Sequence, residues 1–230
     1  AMFSLEIILA EFGVATFSPI VISAVVATAV SRHYLGDIPA FAVPAYELVS
    51  VWEFPFYISL GLICGAVGVT FIRTLYAGED LFERLRFPEY LKAMVGGLIL
   101  GVVALQFPHI LGVGYGTIDL ALTGSLAWWL LFLLVGVKIL ATAITIGSGG
   151  SGGIFAPSLF LGAAVGGGYG LLIHQWLPAV TASPGAYAIV GMGALVSATT
   201  HGPITAILML FEMTGDYKII LPLMLAAITA

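Results

Sequence analysis

The chain reads as an all-α polytopic membrane protein whose helices are tilted, broken and in part too short to cross the bilayer. Mean hydropathy is +1.13, and only 8% of the 230 residues are charged, against roughly a quarter in a soluble domain. The apolar runs are far longer than the roughly ten-residue alternating strands of an outer-membrane barrel. Glycine and proline interrupt them repeatedly, leaving room for about six to eight membrane segments, some shorter than the ~20 residues a full crossing needs.

Residues 1–12 predict a short helix and 17–35 a longer one ending at Arg32-His33-Tyr34. The stretch 36–54 carries Asp37, Pro39, Pro44, Glu47 and Glu53, so it reads as a loop at a membrane face. Residues 55–77 form a glycine-dotted span that runs into an amphipathic extension from Glu79 to Arg86. Arg73, Arg84, Arg86 and Lys92, four of the seven basic residues, fall in this one connection. Excess Lys and Arg place a connection in the cytoplasm. Residues 90–107 make the next span, with Gly96, Gly97 and Gly101 as close-packing positions. The run from Pro108 to Gly116 breaks the helix. Residues 125–146 give the longest clean span, holding Trp128, Trp129 and Lys138. Segments 157–177, 185–199, 202–213 and 217–230 follow, the last three too short to cross alone. Short, interrupted segments are how transporters build a site at membrane mid-depth.

Between two of these spans lies the most informative stretch, Gly147 to Pro157. Seven of its eleven residues are glycine or serine. Pro157 suits the first turn of a new helix, where its missing N–H is no loss. The amides just before it point out of the helix's positive end. In lipid, irregular backbone survives only where protein buries it or where it lines a wet cavity. A helix start on such a cavity, with no cationic side chain in the loop, suits a small anion. Gly166-Gly167-Gly168 instead reads as plain helix packing.

Several functions are excluded on composition and pattern. Seven Lys and Arg with no basic run argue against nucleic acid. The single Cys64 forms no internal disulfide, and no His/Cys spacing marks a metal site. The Gly-Lys-Ser/Thr of a nucleotide P-loop is missing. No nucleophile–base pair sits inside a span, so no catalytic residue is assigned and no cofactor is expected. Lys138 is the one basic residue inside a span, and intramembrane charge points to function by default. It raises the potential near an anion path, pairs with a carboxylate or reaches the interface; the sequence leaves these open. Glu6 and Glu212 end short helices, which favours a structural or solvated role. His33, His109, His174 and His201 lie at segment edges.

A weak internal repeat relates Phe3-Ser4-Leu5-Glu6-Ile7 to Met209-Leu210-Phe211-Glu212-Met213, each followed by an aromatic and a proline. Such duplication fits an inverted-repeat transporter. Together with Gly152-Gly153-Ile154-Phe155-Ala156-Pro157, Gly191-Met192-Gly193-Ala194-Leu195, Glu212-Met213-Thr214 and Leu111-Gly112-Val113-Gly114-Tyr115-Gly116, these features resemble the CLC family of voltage-gated chloride channels and proton/chloride antiporters. The first of these strings is similar to the family's GxFxP chloride-binding segment. The family's serine loop (GSGIP) and gate-glutamate loop (GREGP) do not occur. The chain is thus expected to be a fragment, the latter two-thirds of one CLC-type membrane domain. Residues 1–53 would be the end of the first half-repeat and its connecting loop, and 54–230 most of the second half.

The resemblance implies chloride transport, with the anion held by the Ile154 and Phe155 amides, Gly153 leading in, and Gly152, Ala156 and Pro157 completing the loop. This chain would supply one wall of that site. Proton-coupled bacterial members of the family often carry a second glutamate where this sequence has Ile7, which favours channel-type conduction. The alternatives are a proton-coupled antiporter with a different proton path, or a transporter of another small anion such as fluoride or nitrate. The resemblance further implies a multi-pass protein in the plasma (inner) membrane of a prokaryote. Its partners would be the lipid bilayer and a second copy of itself, in a homodimer through about 1–35 and 203–230.

Overall fold

A computed structural model describes residues 2–9, 14–36, 50–85, 88–215 and 217–230. These form nine α-helices: α1 (Val14–Leu35), α2 (Phe54–Arg84), α3 (Glu89–Gln106), α4 (Tyr115–Leu122), α5 (Trp128–Gly147), α6 (Phe155–Trp176), α7 (Pro184–Thr200), α8 (Pro203–Thr214) and α9 (Ile220–Thr229). The stretch Ser4–Leu9 is π-helical, and short 3₁₀ turns precede α2, α4 and α9. No strand occurs among the described residues. Proline opens α7 and α8 and stands in the first turn of α2, where no helical amide bond is lost.

The core is α6 packed along α7, with α2, α5 and α9 around them. Glycine makes that contact. A Cβ on Gly162 would stand 2.4 Å from the Gly191 carbonyl oxygen, and one on Gly166 only 2.1 Å from that of Tyr187. The Gly166-Gly167-Gly168 run is therefore a packing seam, as its composition predicts. Small residues let backbones approach where lipid leaves no hydrophobic gain from pairing helices. On α2, Gly61 and Gly65 admit the α9 backbone in the same way.

Among the described residues four helices, α2, α3, α5 and α6, are long and apolar enough to cross a membrane. The 17-residue α7 is too short to span at 1.5 Å per residue, yet nearly every residue in it is buried.

Several expectations need correction. The helix α2 has 31 residues and exceeds the 20-residue α5, so 125–146 is not the longest span. Its apolar half and charged extension are one continuous rod. The short helix α4 was not foreseen. Gly96 packs against Ser148 as expected, but a Cβ at Gly97 or Gly101 would meet nothing within 4 Å. The expected loop at 36–54 lies mostly outside the described residues, as do residues 10–12 of the first expected helix. Glu53, read as part of that polar loop, is fully buried at 0% exposure. Its carboxylate accepts hydrogen bonds from the Ala182 amide and, at 3.2 Å, from the Tyr187 hydroxyl. The carboxylate thus meets the Ala182 amide, two residues ahead of α7.

Candidate anion site

The site is built where α5 stops and α6 starts. The last turn of α5 closes with the Ser148 amide donating to Ile144 (3.0 Å), Gly149 to Ile146 (3.0 Å) and Gly150 to Thr145 (2.9 Å). Gly149 makes this possible with φ of 83°, a left-handed turn that a side chain would strain. Ser151 to Gly153 have no regular structure, and Ile154 then caps α6. Among the described residues, no side chain caps the amides of the first turn. The Ile154 carbonyl is engaged instead, accepting the Ser158 amide (3.0 Å) and the Ser158 hydroxyl (2.7 Å). Ser158 also pairs with Thr199 on α7 at 3.1 Å, fixing the start of α6 to the end of α7.

A cavity of about 420 Å³ opens in front of this turn. Ser151, Gly152, Gly153, Ala156 and Pro157 form one wall, with Lys138, Thr142 and Thr145 of α5 and residues 110–113 around them. Gly152, Gly153, Ala156 and Pro157, all expected at the site, therefore meet on one cavity. Ile154 and Phe155 do not line it. Ile154 is 40% exposed, and the half-buried Phe155 ring stands edge-on to Phe3, centroids 5.8 Å apart. The loop is open at Ser151 to Ile154 rather than enclosed.

Lys138 is the charged group nearest this loop among the cavity-lining residues, and it is only 4% exposed. It neither pairs with a carboxylate among the described residues nor reaches the surface. Its ammonium donates to the carbonyls of Ile110 (2.8 Å) and Gly112 (2.9 Å) and lies 5.0 Å from the Phe160 ring centroid. The sequence singled out Lys138 but could not show that its partners are main-chain atoms.

The other predicted residues fall elsewhere. Ile7 packs against Gly202, where a Cβ would come within 2.9 Å of its side chain. Glu6 accepts the Ile204 amide at 3.3 Å and the Thr205 amide, so it caps α8 across the fold. Glu212 is exposed and lines a separate cavity with Met2 and Phe3. His201 ends α7 in a left-handed conformation, φ 54°, and His174 bonds Thr181 at 3.1 Å.

Fold and loop together define an integral, multi-pass helical membrane protein with a glycine-rich helix start facing a cavity. The family described as voltage gated chloride channel matches residues 1–230, and the chain belongs to that family. A ClcB-like chloride channel protein of Ralstonia nicotianae is 41% identical over 229 residues, covering 100% of this chain and 53% of that protein. An H(+)/Cl(-) exchange transporter ClcA of Vibrio campbellii is 35% identical, covering 96% and 48%. Among solved structures, a slow cyanobacterial Cl-/H+ antiporter aligns with TM-score 0.80 at 34% identity, covering 89% of this chain and 48% of the other. The chain thus spans about half the length of these relatives.

Proposed function

We propose that this chain forms one wall of a transmembrane pathway for chloride, with the ion held by main-chain amides at the start of α6. The observation that carries the reading is the uncapped first turn of α6 beside a cavity of about 420 Å³. A dehydrated chloride needs compensation, but a full positive charge would trap it. Conduction requires binding strong enough for entry and weak enough for exit. Helix-start amides supply up to roughly half an elementary charge. The ion sits within reach of the Ile154 and Phe155 amides, with Gly153 allowing close approach. Passive conduction is the first reading, since Ile7 carries no proton. Proton-coupled exchange is the second, favoured by the similarity to a ClcA exchanger and a Cl-/H+ antiporter. Fluoride and nitrate remain rival cargoes. The chain is one stretch of a single membrane domain, divided near residue 53. It works as a homodimer in a prokaryotic plasma membrane.

The test is chloride efflux from liposomes holding the longest natural polypeptide that contains these 230 residues, with intravesicular pH followed at the same time. Chloride efflux without a matching proton movement supports conduction. Stoichiometric proton uptake moves the assignment to exchange, and no chloride efflux removes the reading.

A further inference from the structure

The ammonium of Lys138 is buried beside the anion's approach, yet it is spent on two carbonyls. Besides this grip, the segment is held by the Thr117 hydroxyl, which donates to the His109 carbonyl at 3.1 Å, and by the buried Ile110 side chain. Residues 107–114 run from the end of α3 through a 3₁₀ turn to the left-handed Gly112 (φ 60°) and Gly114 (φ 86°). Within it, the Ile110 amide donates to Phe107 and the Leu111 amide to Pro108, both at 3.2 Å. Leu111 and Val113 are exposed. Lys138 ties two of the segment's carbonyls to α5. The Phe160 ring completes the seat. It lies under the ammonium at 5.0 Å, and it fills the space a Cβ on Gly114 would need, at 2.5 Å. Phe160 stands one turn into α6, on the helix whose start faces the cavity.

We infer that Lys138 is a positioning residue, which holds the 110–113 segment in place as the outer wall of the cavity before the α6 start. It acts on the ion's path by fixing that wall, not by binding the ion. Two of its three N–H donors are committed, and charge-assisted bonds to carbonyls are shorter and stronger than neutral ones. The two bonds use separate N–H groups and reach carbonyls two residues apart, so the ammonium ties this segment to α5 at two points. The inference rests on the reading that this cavity is the anion's approach.

The experiment compares the unmodified protein with Lys138→Arg, Lys138→Gln and Lys138→Met, each as the longest natural polypeptide in liposomes. Two quantities are read: backbone hydrogen exchange of the 108–114 peptide, and initial chloride efflux at low and high ionic strength set with an impermeant salt. Lys138→Met is expected to raise exchange several-fold in 108–114, leaving the α6 and α7 peptides protected. It is expected to slow efflux several-fold, equally at both ionic strengths. Lys138→Arg, which keeps donors of sufficient reach, restores both. Lys138→Gln, neutral and shorter, falls between and serves if the methionine variant does not fold. Unchanged exchange in 108–114 with a salt-sensitive loss of efflux would show a purely electrostatic lysine and overturn the inference. A loosened segment with unaltered efflux overturns it equally. Absence of efflux from the unmodified protein counts against the chloride reading itself, while the exchange comparison still decides whether the clamp exists.

Discussion

At the scale of single residues, two glycines near the site separate function from folding. Gly153 has open space around an added Cβ, and its φ is not in the left-handed region. Gly153→Ala is therefore expected to leave thermal stability in detergent nearly unchanged, yet to slow chloride efflux several-fold by crowding the anion's approach. Equal efflux in the two proteins would remove Gly153 from the site. Gly114 is the opposite case, with φ of 86° and the Phe160 ring 2.5 Å from an added Cβ. Gly114→Ala is expected to destabilise by about 1–3 kcal/mol, read as a lower unfolding temperature. Glu53 is a third case. The loss of its carboxylate would leave a buried amide and hydroxyl without their acceptor, at about 1–3 kcal/mol or more. Glu53→Ala should thus lower the unfolding temperature more than Glu212→Ala, whose side chain is exposed.

At the scale of elements, the helices that were legible in the sequence are those with long apolar runs and proline or glycine boundaries. The expected 90–107, 157–177, 185–199 and 202–213 match α3, α6, α7 and α8 to within a residue or two. What stayed hidden was set by contacts distant in sequence. The helix α4 has only eight residues, including Thr117 and Asp119, and starts directly after the left-handed Gly114. Nothing in so short a segment gives a periodic signal. Glu53 reads as polar and hence exposed, because the groups that receive it lie about 130 residues later, on Ala182 and Tyr187. The glycine loop was legible because seven small residues in an apolar setting have few explanations; its cavity, and Lys138's grip on residues 110 and 112, were not. Element packing carries its own prediction. Gly166→Leu would force α6 from α7, since even a Cβ would lie 2.1 Å from the Tyr187 carbonyl oxygen. Expression of that variant is expected to yield little folded protein, whereas Gly97→Leu, facing open space, is expected to fold normally.

At the scale of the whole molecule, the proposed homodimer offers apolar faces on α1 (Ile22, Val25, Val26) and on α8 and α9 (Ile204, Leu221, Ile228), all exposed on the single chain. Light scattering of the longest natural polypeptide in detergent should give twice the monomer mass, and a tryptophan at Leu221 should shift it toward monomer. The central claim concerns the ion itself. Its most direct measurement is anomalous diffraction from bromide-soaked crystals of that polypeptide. The account predicts a bromide peak within hydrogen-bond reach of the Ile154 or Phe155 amide, in front of α6. Halide density found only at other places, with the start of α6 empty, would contradict it.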